Sequence, residues 1–320
     1  MDVSAALSSS TPQRCSEVIY FSIVLTEING GDIENDLNAA GTSVVRVLVA
    51  EGYIDERLRA VPPELVEAVS TKGDLSKYLE LHGGPLADAA RRREDEVLAA
   101  LGLLEEARRR GKAVVATYPP RGVGYSSGRG GLLNAVAYLA KELEAAVVSL
   151  DAHFPWGTWE LHLRLGFPFL AIYSGADGPH PGRLARRSDR VVAVPLPPGA
   201  SDRSVEAALD LAGRLRRPLV LEVGLDLYRL EPLGHFFATT ASYHAAGRLI
   251  AEGGYIVLDC ASAASIPALR ALLAGADGAP NPLPERPIEE SPAVVREVDR
   301  AVEKARERMA IIDISKKRHA

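Results

Sequence analysis

The sequence predicts an α/β protein built on a mostly parallel sheet of about seven or eight strands flanked by helices. Short apolar, β-branched runs alternate along the 320 residues with longer stretches whose apolar residues recur at helical spacing. That alternation is typical of repeated strand–helix units, which build parallel sheets. Because 47% of the residues are hydrophobic and 25% are charged, the composition excludes disordered and fibrous proteins.

The short apolar runs predict the strands Val18–Thr26, Ala113–Tyr118, Ala145–Asp151, Phe167–Tyr173, Arg190–Val194, Leu219–Val223 and Tyr255–Leu258. The amphipathic stretches between them predict the helices Asp36–Glu51, Pro85–Arg110, Leu132–Glu144, Ser201–Arg217 and Thr239–Glu252. Ser201 and Thr239-Thr240 are expected to begin their helices as N-caps.

The C-terminal part has a different composition. Pro, Gly and acidic residues are frequent in Gly275–Pro292, which predicts a linker, and Ala293–Ala310 has the pattern of an amphipathic helix. No break in composition precedes residue 275. We therefore expect one domain over residues 1–320, with the Pro-rich linker and the C-terminal helix at 275–320.

Charge and cysteine content limit the partners and the compartment. The chain has 37 basic and 42 acidic residues, a net charge of −5, which argues against direct nucleic-acid binding and against an anionic membrane. Cys15 and Cys260 cannot form a disulfide framework, and we find neither a secretion signal nor a long apolar span. We expect a soluble cytoplasmic protein, with a homo-oligomer left open.

Three side chains suggest a metal site. Asp151 and His153 follow the third predicted strand, and Asp226 follows the sixth. The carboxyl ends of parallel strands meet at one edge of the sheet, and residues two apart on an extended chain point the same way. One His and two carboxylates fit an open, catalytic Zn²⁺ site. The alternative interpretation is a turn aspartate beside a partly buried histidine.

The order of several segments resembles the histone deacetylase superfamily, particularly its acetoin-utilisation and acetylpolyamine amidohydrolase branch. The matching segments are Tyr78-Leu79-Glu80, Tyr118-Pro119-Pro120, the Asn134 helix start, Asp151-Ala152-His153 and Gly224–Gly234. The resemblance implies the arginase/deacetylase fold and zinc held by Asp151, His153 and Asp226. It also implies hydrolysis of an acyl amide, such as acetyl-lysine, an acetylpolyamine or another small N-acyl compound.

The chain departs from the family where the catalytic bases should stand. The family has a His-His pair after the Pro-Pro segment, whereas this chain reads Arg121–Ser127 without a histidine. The carboxylates that orient such a pair are replaced by Ser149 and Trp156. These losses are consistent with one another, since an orienting carboxylate has no role without its imidazole. We take Tyr125 and Arg129, on the same loop as Tyr118 and Arg121, as candidate catalytic replacements.

The family's catalytic tyrosine has an apparent match in Glu252-Gly253-Gly254-Tyr255. However, Gly253-Gly254 is a helix stop that leads into a strand, which places Tyr255 at the edge of the sheet opposite the metal. In that alignment Ser262 stands at the tyrosine position and is a third candidate. In the other possible register Tyr255 itself is catalytic.

Other side chains have weaker claims. Trp156 and Trp159 fit either a pocket wall or core packing. His180 and His235 lie on predicted loops where they could enter the site, Leu233 resembles a pocket-lining position, and His162 and His244 are expected to be structural.

Three functions are compatible with these residues. The favoured one is a zinc-dependent amidohydrolase with altered machinery that acts on a small molecule or an acylated amine. The second is a non-catalytic relative that binds metal or ligand. The third, an arginase-like enzyme, needs carboxylates for a second metal where this chain has Pro155 and Gly224.

Overall fold

The structure of the protein is a computed structural model. It describes residues 19–24, 101–102, 104–105, 108, 112–118, 133–176, 178–231, 235–258 and 263–317; for 19–24, 112–118, 263 and 311–317 it describes the backbone alone. The predicted helix Asp36–Glu51 lies outside this part. The few described residues of the predicted helix Pro85–Arg110 before the next strand are helical.

The seven predicted strands are all present and form one parallel sheet. They are β1 Ile19–Val24, β2 Lys112–Tyr118, β3 Ala146–Leu150, β4 Phe169–Ser174, β5 Val191–Leu196, β6 Leu219–Val223 and β7 Gly254–Leu258. The strand order is β1-β2-β7-β6-β3-β4-β5. The predicted fold class, a parallel sheet flanked by helices, is confirmed.

The helices with defined bounds are α1 Ala135–Glu142, α2 Trp156–Leu165, α3 Pro181–Arg187, α4 Asp202–Leu209, α5 Thr240–Arg248, α6 Ile266–Ala276 and α7 Pro292–Lys317. The prediction Ser201–Arg217 was too long, because α4 ends at Leu209 and a 3₁₀ helix, Asp210–Arg214, follows before Pro218. Prediction missed α6, which is buried on nearly every side and therefore lacks an amphipathic period. No described helix is long and apolar enough to cross a membrane.

The buried apolar residues of the described segments form two cores on opposite faces of the sheet. One joins Val148 and Leu150 of β3 to helices α4, α5, α6 and α7. The other joins Val147 of β3 to helices α1 and α2. Because successive strand residues point to opposite faces, β3 and β6 contribute to both cores and lie in the interior of the sheet.

The segment 281–290, here called the C-terminal strap, has no helix or strand but is bound to the body. Glu285 accepts hydrogen bonds from the Thr240 amide (2.9 Å) and from the Tyr228 hydroxyl (3.2 Å). Glu290 accepts from the Ser201 and Ser204 amides at 2.7 and 3.0 Å. Each carboxylate thus satisfies amides at a helix N-terminus, where negative charge is favourable.

Of the two predicted N-cap positions, only one has a side chain that makes the capping hydrogen bond. Thr239 caps α5 as expected, since its hydroxyl accepts from the Ala241 amide at 3.2 Å. The Ser201 side chain makes no capping bond and instead donates to the Phe237 carbonyl at 2.9 Å. Glu290 of the strap replaces it as the cap of α4.

Candidate metal site

Asp151, His153 and Asp226 lie together at the carboxyl edge of the sheet and are here called the metal cluster, because they could hold a metal ion. Asp151 directly follows β3, and Asp226 lies in the turn after β6, the neighbouring strand. One potential ligand atom from each residue falls within 4.8 Å of the others. The two carboxylates are buried, whereas 62% of the His153 side chain is exposed, so the cluster opens to solvent on one side.

Backbone amides fix both carboxylates. Asp226 Oδ1 accepts from the Ala152 amide at 2.8 Å, and Asp151 Oδ1 accepts from the His153 amide at 2.6 Å. His153 Nδ1 lies 3.3 Å from Asp151 Oδ1 and 2.7 Å from Asp226 Oδ2. The second contact lacks hydrogen-bond geometry, and Asp226 Oδ2 is buried without a hydrogen bond among the described residues.

The arrangement fits a divalent metal ion. Tetrahedral zinc with ligands at roughly 2.0–2.1 Å separates its ligand atoms by about 3.3 Å. The distance of 3.3 Å between His153 Nδ1 and Asp151 Oδ1 matches this value, whereas the 2.7 Å between His153 Nδ1 and Asp226 Oδ2 is shorter. Gly224 leaves space for one carboxylate, since a Cβ at this position would lie 2.0 Å from Asp151 Oδ2. The donor set, two carboxylates and one imidazole, is one that zinc accepts.

The electrostatics of the cluster favour a bound cation. Burial, together with the charge of Asp226, raises the pKa of Asp151 above its usual range. The Asp151 and Asp226 carboxylates raise the pKa of His153. Two buried carboxylates repel each other unless a positive charge lies between them, and the protonated imidazole or a metal ion can supply it.

Several predicted site residues lie outside the described part of the chain. They are Tyr125, Arg129, Ser262, Arg121 and Leu233. Tyr118 is the last residue of β2, at the carboxyl edge of the sheet. The roles predicted for these residues stay predictions.

Tyr255 lies at the opposite edge from the metal cluster. It is the second residue of β7 and pairs with Val220 near the start of β6, whereas Asp226 follows the end of β6. Its hydroxyl donates to the Arg108 carbonyl at 3.2 Å. This is the position that the helix stop at Gly253-Gly254 predicted, so the Glu-Gly-Gly-Tyr match does not bring a tyrosine to the metal cluster.

The two tryptophans have different environments. Trp159 is buried and stacks on His162, whose Nδ1 and Nε2 lie 2.8 Å from the Phe167 carbonyl and 2.7 Å from Ser188 Oγ. Both residues are therefore structural. Trp156 is 38% exposed, three residues after His153, with its ring edge-to-face on Phe154. Of the two tryptophans, only Trp156 is exposed near the ligand loop in the chain.

His180 and His235, two further histidines of the described segments, do not join the cluster. His180 is exposed and caps α3 by accepting from the Gly182 amide at 3.1 Å. His235 is exposed on the segment before α5. The metal-binding group found among the described residues contains neither of them.

Sequence reasoning missed Glu222, a buried carboxylate of β6, and its hydrogen-bond partner Thr158 of α2. A signal was available, because an acidic residue in the otherwise apolar run Leu219–Val223 is costly to bury and needs a partner. The partner could not be found from spacing, since Thr158 and Glu222 are far apart in the chain.

Comparison with known proteins identifies the fold. The sequence matches no protein-family model and no curated protein sequence. The structure, however, superposes on the HDA15 HD domain with a TM-score of 0.58 and 14% identity, over 88% of this chain and 90% of that one. The fold is that of the histone deacetylases.

Two further structures share the histone deacetylase fold. The histone deacetylase Clr3 matches with a TM-score of 0.57 and 14% identity over 89% of this chain, which spans 56% of the Clr3 chain. An HDAC homologue from Aquifex aeolicus matches with a TM-score of 0.56 and 16% identity, over 82% of this chain and 92% of that one. At such low identity the likeness concerns the fold.

Proposed function

We propose that this chain is a zinc-dependent, deacetylase-like amidohydrolase that cleaves the acyl amide of a small molecule or an acylated amine. The observation that carries the proposal is the grouping of Asp151, His153 and Asp226 within 4.8 Å at the carboxyl edge of a histone deacetylase fold. Ligands of parallel α/β proteins gather at that edge.

The protein's own residues would prepare the site as follows. Backbone amides of Ala152 and His153 hold the two carboxylates. Asp226 Oδ2, which has no hydrogen bond to any described residue, lies 2.7 Å from His153 Nδ1 within the cluster. A zinc ion there would supply a Lewis acid that polarises an amide carbonyl and lowers the pKa of water. Trp156, exposed beside the ligand loop, offers an apolar surface for an acyl group.

A second candidate function is metal or ligand binding without turnover. It is favoured by the sequence of Arg121–Ser127, which lacks the histidine pair of the family, and by Ser149 and Trp156 in place of the orienting carboxylates. Among the described residues no further histidine lies in the metal cluster. An amidohydrolase built this way would depend on the metal and on groups such as Tyr125, Arg129 or Ser262 for proton transfer.

The test measures metal content and turnover on the full chain. Zinc is quantified in the purified protein, and acetyl-lysine peptides, acetylpolyamines and small N-acyl compounds are screened with and without chelator. Asp226→Asn and His153→Ala remove ligands, while His235→Ala alters an exposed histidine outside the cluster and is the matched control. Size-exclusion chromatography with light scattering reports the oligomeric state.

The expected result is stoichiometric zinc, turnover that the chelator abolishes, and loss of both in the ligand variants but not in His235→Ala. Stoichiometric zinc without turnover above that of free zinc would favour the non-catalytic function. If wild-type protein bound no zinc, the metal site itself would be wrong.

A further inference from the structure

A buried polar cluster lies beneath the metal site, on one face of the sheet. Glu222 of β6 and Ser149 of β3 are register partners, and each side chain is fully buried. Ser149 precedes Asp151 by two residues on the extended chain, so both side chains point to the same face. The cluster therefore underlies the strand ends that carry the metal ligands.

Hydrogen bonds link this cluster to two helices. Thr158 Oγ1, in the first turn of α2, donates to Glu222 Oε1 at 2.9 Å. Asn134 Nδ2 donates to Thr158 Oγ1 at 3.1 Å, and Asn134 Oδ1 accepts from the Ala137 amide at 2.7 Å, which caps α1. We call Glu222, Thr158 and Asn134 the buried clasp.

The clasp connects the two loops that supply the ligands. Asp226 follows β6, the strand of Glu222, and His153 precedes α2, the helix of Thr158. The bond from Thr158 to Glu222 thus fixes the start of α2 against the strand that leads to Asp226. A shift of α2 would move the loop 151–155 and change the separation between His153 and Asp226.

Burying the carboxylate of Glu222 has a free-energy cost, and the packing around residue 222 does not require a carboxylate there. Burial raises the pKa of Glu222 to about 8, which reflects the penalty of placing charge there. Val147 and Val220, on the same face of the sheet, are apolar, so an apolar side chain at residue 222 would fit its surroundings. Moreover, Glu222 Oε2 and Ser149 Oγ make no hydrogen bond of normal geometry among the described residues.

We propose that Glu222, acting through Thr158, is a positioning residue that holds the His153 loop and the Asp226 turn at the separation a metal ion needs. The inference rests on the proposed function, because it takes Asp151, His153 and Asp226 as the metal ligands. Hydrogen-bond partners outside the ligand set typically change metal affinity by about 10–100-fold when removed.

The test uses the full chain and two metal readouts. Zinc affinity is measured by competition with a chelator, and the visible absorption spectrum of the cobalt-substituted protein reports the coordination geometry. Thr158→Val removes the hydroxyl with little change of shape, while Thr158→Ser keeps it. We expect Thr158→Val to weaken zinc binding about tenfold or more and to alter the cobalt spectrum, and Thr158→Ser to restore both nearly to wild type.

A matched control separates positioning from general stability. Ser242 is another buried hydroxyl, which donates to Asp202 Oδ1 at 2.6 Å outside the clasp. Ser242→Ala should lower the free energy of unfolding without changing zinc affinity or the cobalt spectrum. An equal loss of zinc affinity in Ser242→Ala and Thr158→Val would show that stability, not position, is being measured.

Variants of Glu222 give a second, independent readout. Glu222→Gln keeps an oxygen that accepts from Thr158 and should stay within about threefold of wild-type zinc affinity, whereas Glu222→Leu should match Thr158→Val. The double variant Glu222→Leu/Thr158→Val should bind zinc no more weakly than either single variant, because both changes remove the same hydrogen bond between Thr158 and Glu222. A tenfold loss in Glu222→Gln would assign the effect to charge and overturn the positioning role.

The two proposals fail in distinguishable ways. If wild-type protein binds neither zinc nor cobalt, the proposed function fails and the positioning role fails with it. If wild-type protein binds both metals, while folded Thr158→Val and Glu222→Leu bind with unchanged affinity and an unchanged cobalt spectrum, only the positioning role is overturned.

Discussion

The carboxylate of Asp151 occupies the space that a side chain at Gly224 would fill. A Cβ at residue 224 would lie 2.0 Å from Asp151 Oδ2 and 3.1 Å from Asp226 Oδ1. The carboxylate of Asp151, after β3, can therefore lie this close to the end of β6 only because residue 224 has no side chain.

Gly224→Ala should consequently displace Asp151 and weaken zinc binding at least about tenfold. Isothermal titration with zinc measures the change. Gly213→Ala is the matched control, since a Cβ there meets nothing within 4 Å. Unchanged zinc affinity in Gly224→Ala would mean that Asp151 is not a ligand.

Glu285 of the C-terminal strap should stabilise the fold, because its carboxylate joins the strap to the start of α5. Glu285→Ala removes the acceptor of the Thr240 amide and of Arg229 Nε, which lies 2.9 Å away. Loss of a helix cap and a charged hydrogen bond predicts a decrease of about 1–2 kcal/mol in the free energy of unfolding. Urea denaturation measures it.

The control for that variant is Glu289→Ala, an exposed carboxylate on the same strap. It should change the free energy of unfolding by less than about 0.5 kcal/mol. Equal effects of the two substitutions would contradict a specific capping role for Glu285.

His162 should make stability depend on pH. Burial lowers its pKa from 6.5 to about 4, against the smaller raising effect of the Phe167 carbonyl. Between these values the unfolded chain binds a proton that the folded protein does not, so the free energy of unfolding falls as the pH drops from about 6.5 to 4. The full decrease in the free energy of unfolding is on the order of 3 kcal/mol.

Urea denaturation at pH 7.5, 6 and 5 tests this dependence. His162→Gln cannot take up the proton, so its free energy of unfolding should decline less than that of wild type over the same range. Parallel curves for the two proteins would show that another group governs the pH dependence.

Tyr255→Phe distinguishes the two registers of the Glu-Gly-Gly-Tyr segment. The hydroxyl binds the Arg108 carbonyl at the opposite edge of the sheet, so its removal should cost about 1 kcal/mol of stability and leave zinc affinity and turnover unchanged. Amide hydrolysis is assayed beside unfolding. A large fall in kcat with a retained fold would make Tyr255 catalytic after all.

The sequence was enough to predict the seven strands of the sheet and to name the residues of the metal cluster. The strands β3, β4 and β6 are buried along their whole length, which produces the mostly apolar runs from which they were predicted. Asp151, His153 and Asp226 were predicted because polar residues follow such runs at strand ends and because their segments resemble those of the histone deacetylase superfamily. Neither inference needed to know which strands are neighbours.

The buried clasp and the strap could not be predicted in the same way. Thr158 meets Glu222, and Glu290 meets Ser204, only because of strand order and chain path. The helix α6 was missed because nearly uniform burial removes its amphipathic pattern. Spacing along the chain indicates local structure, whereas these contacts depend on the tertiary arrangement.

The strand order also affects how the protein folds. The last strand, β7, lies between β2 and β6, so residues as distant in the chain as Ala113 and Tyr255 must pair. Until β7 is in place, β2 and β6 each present an open edge able to pair with another molecule. Such long-range parallel pairing is slow, so refolding yield should fall steeply as protein concentration rises.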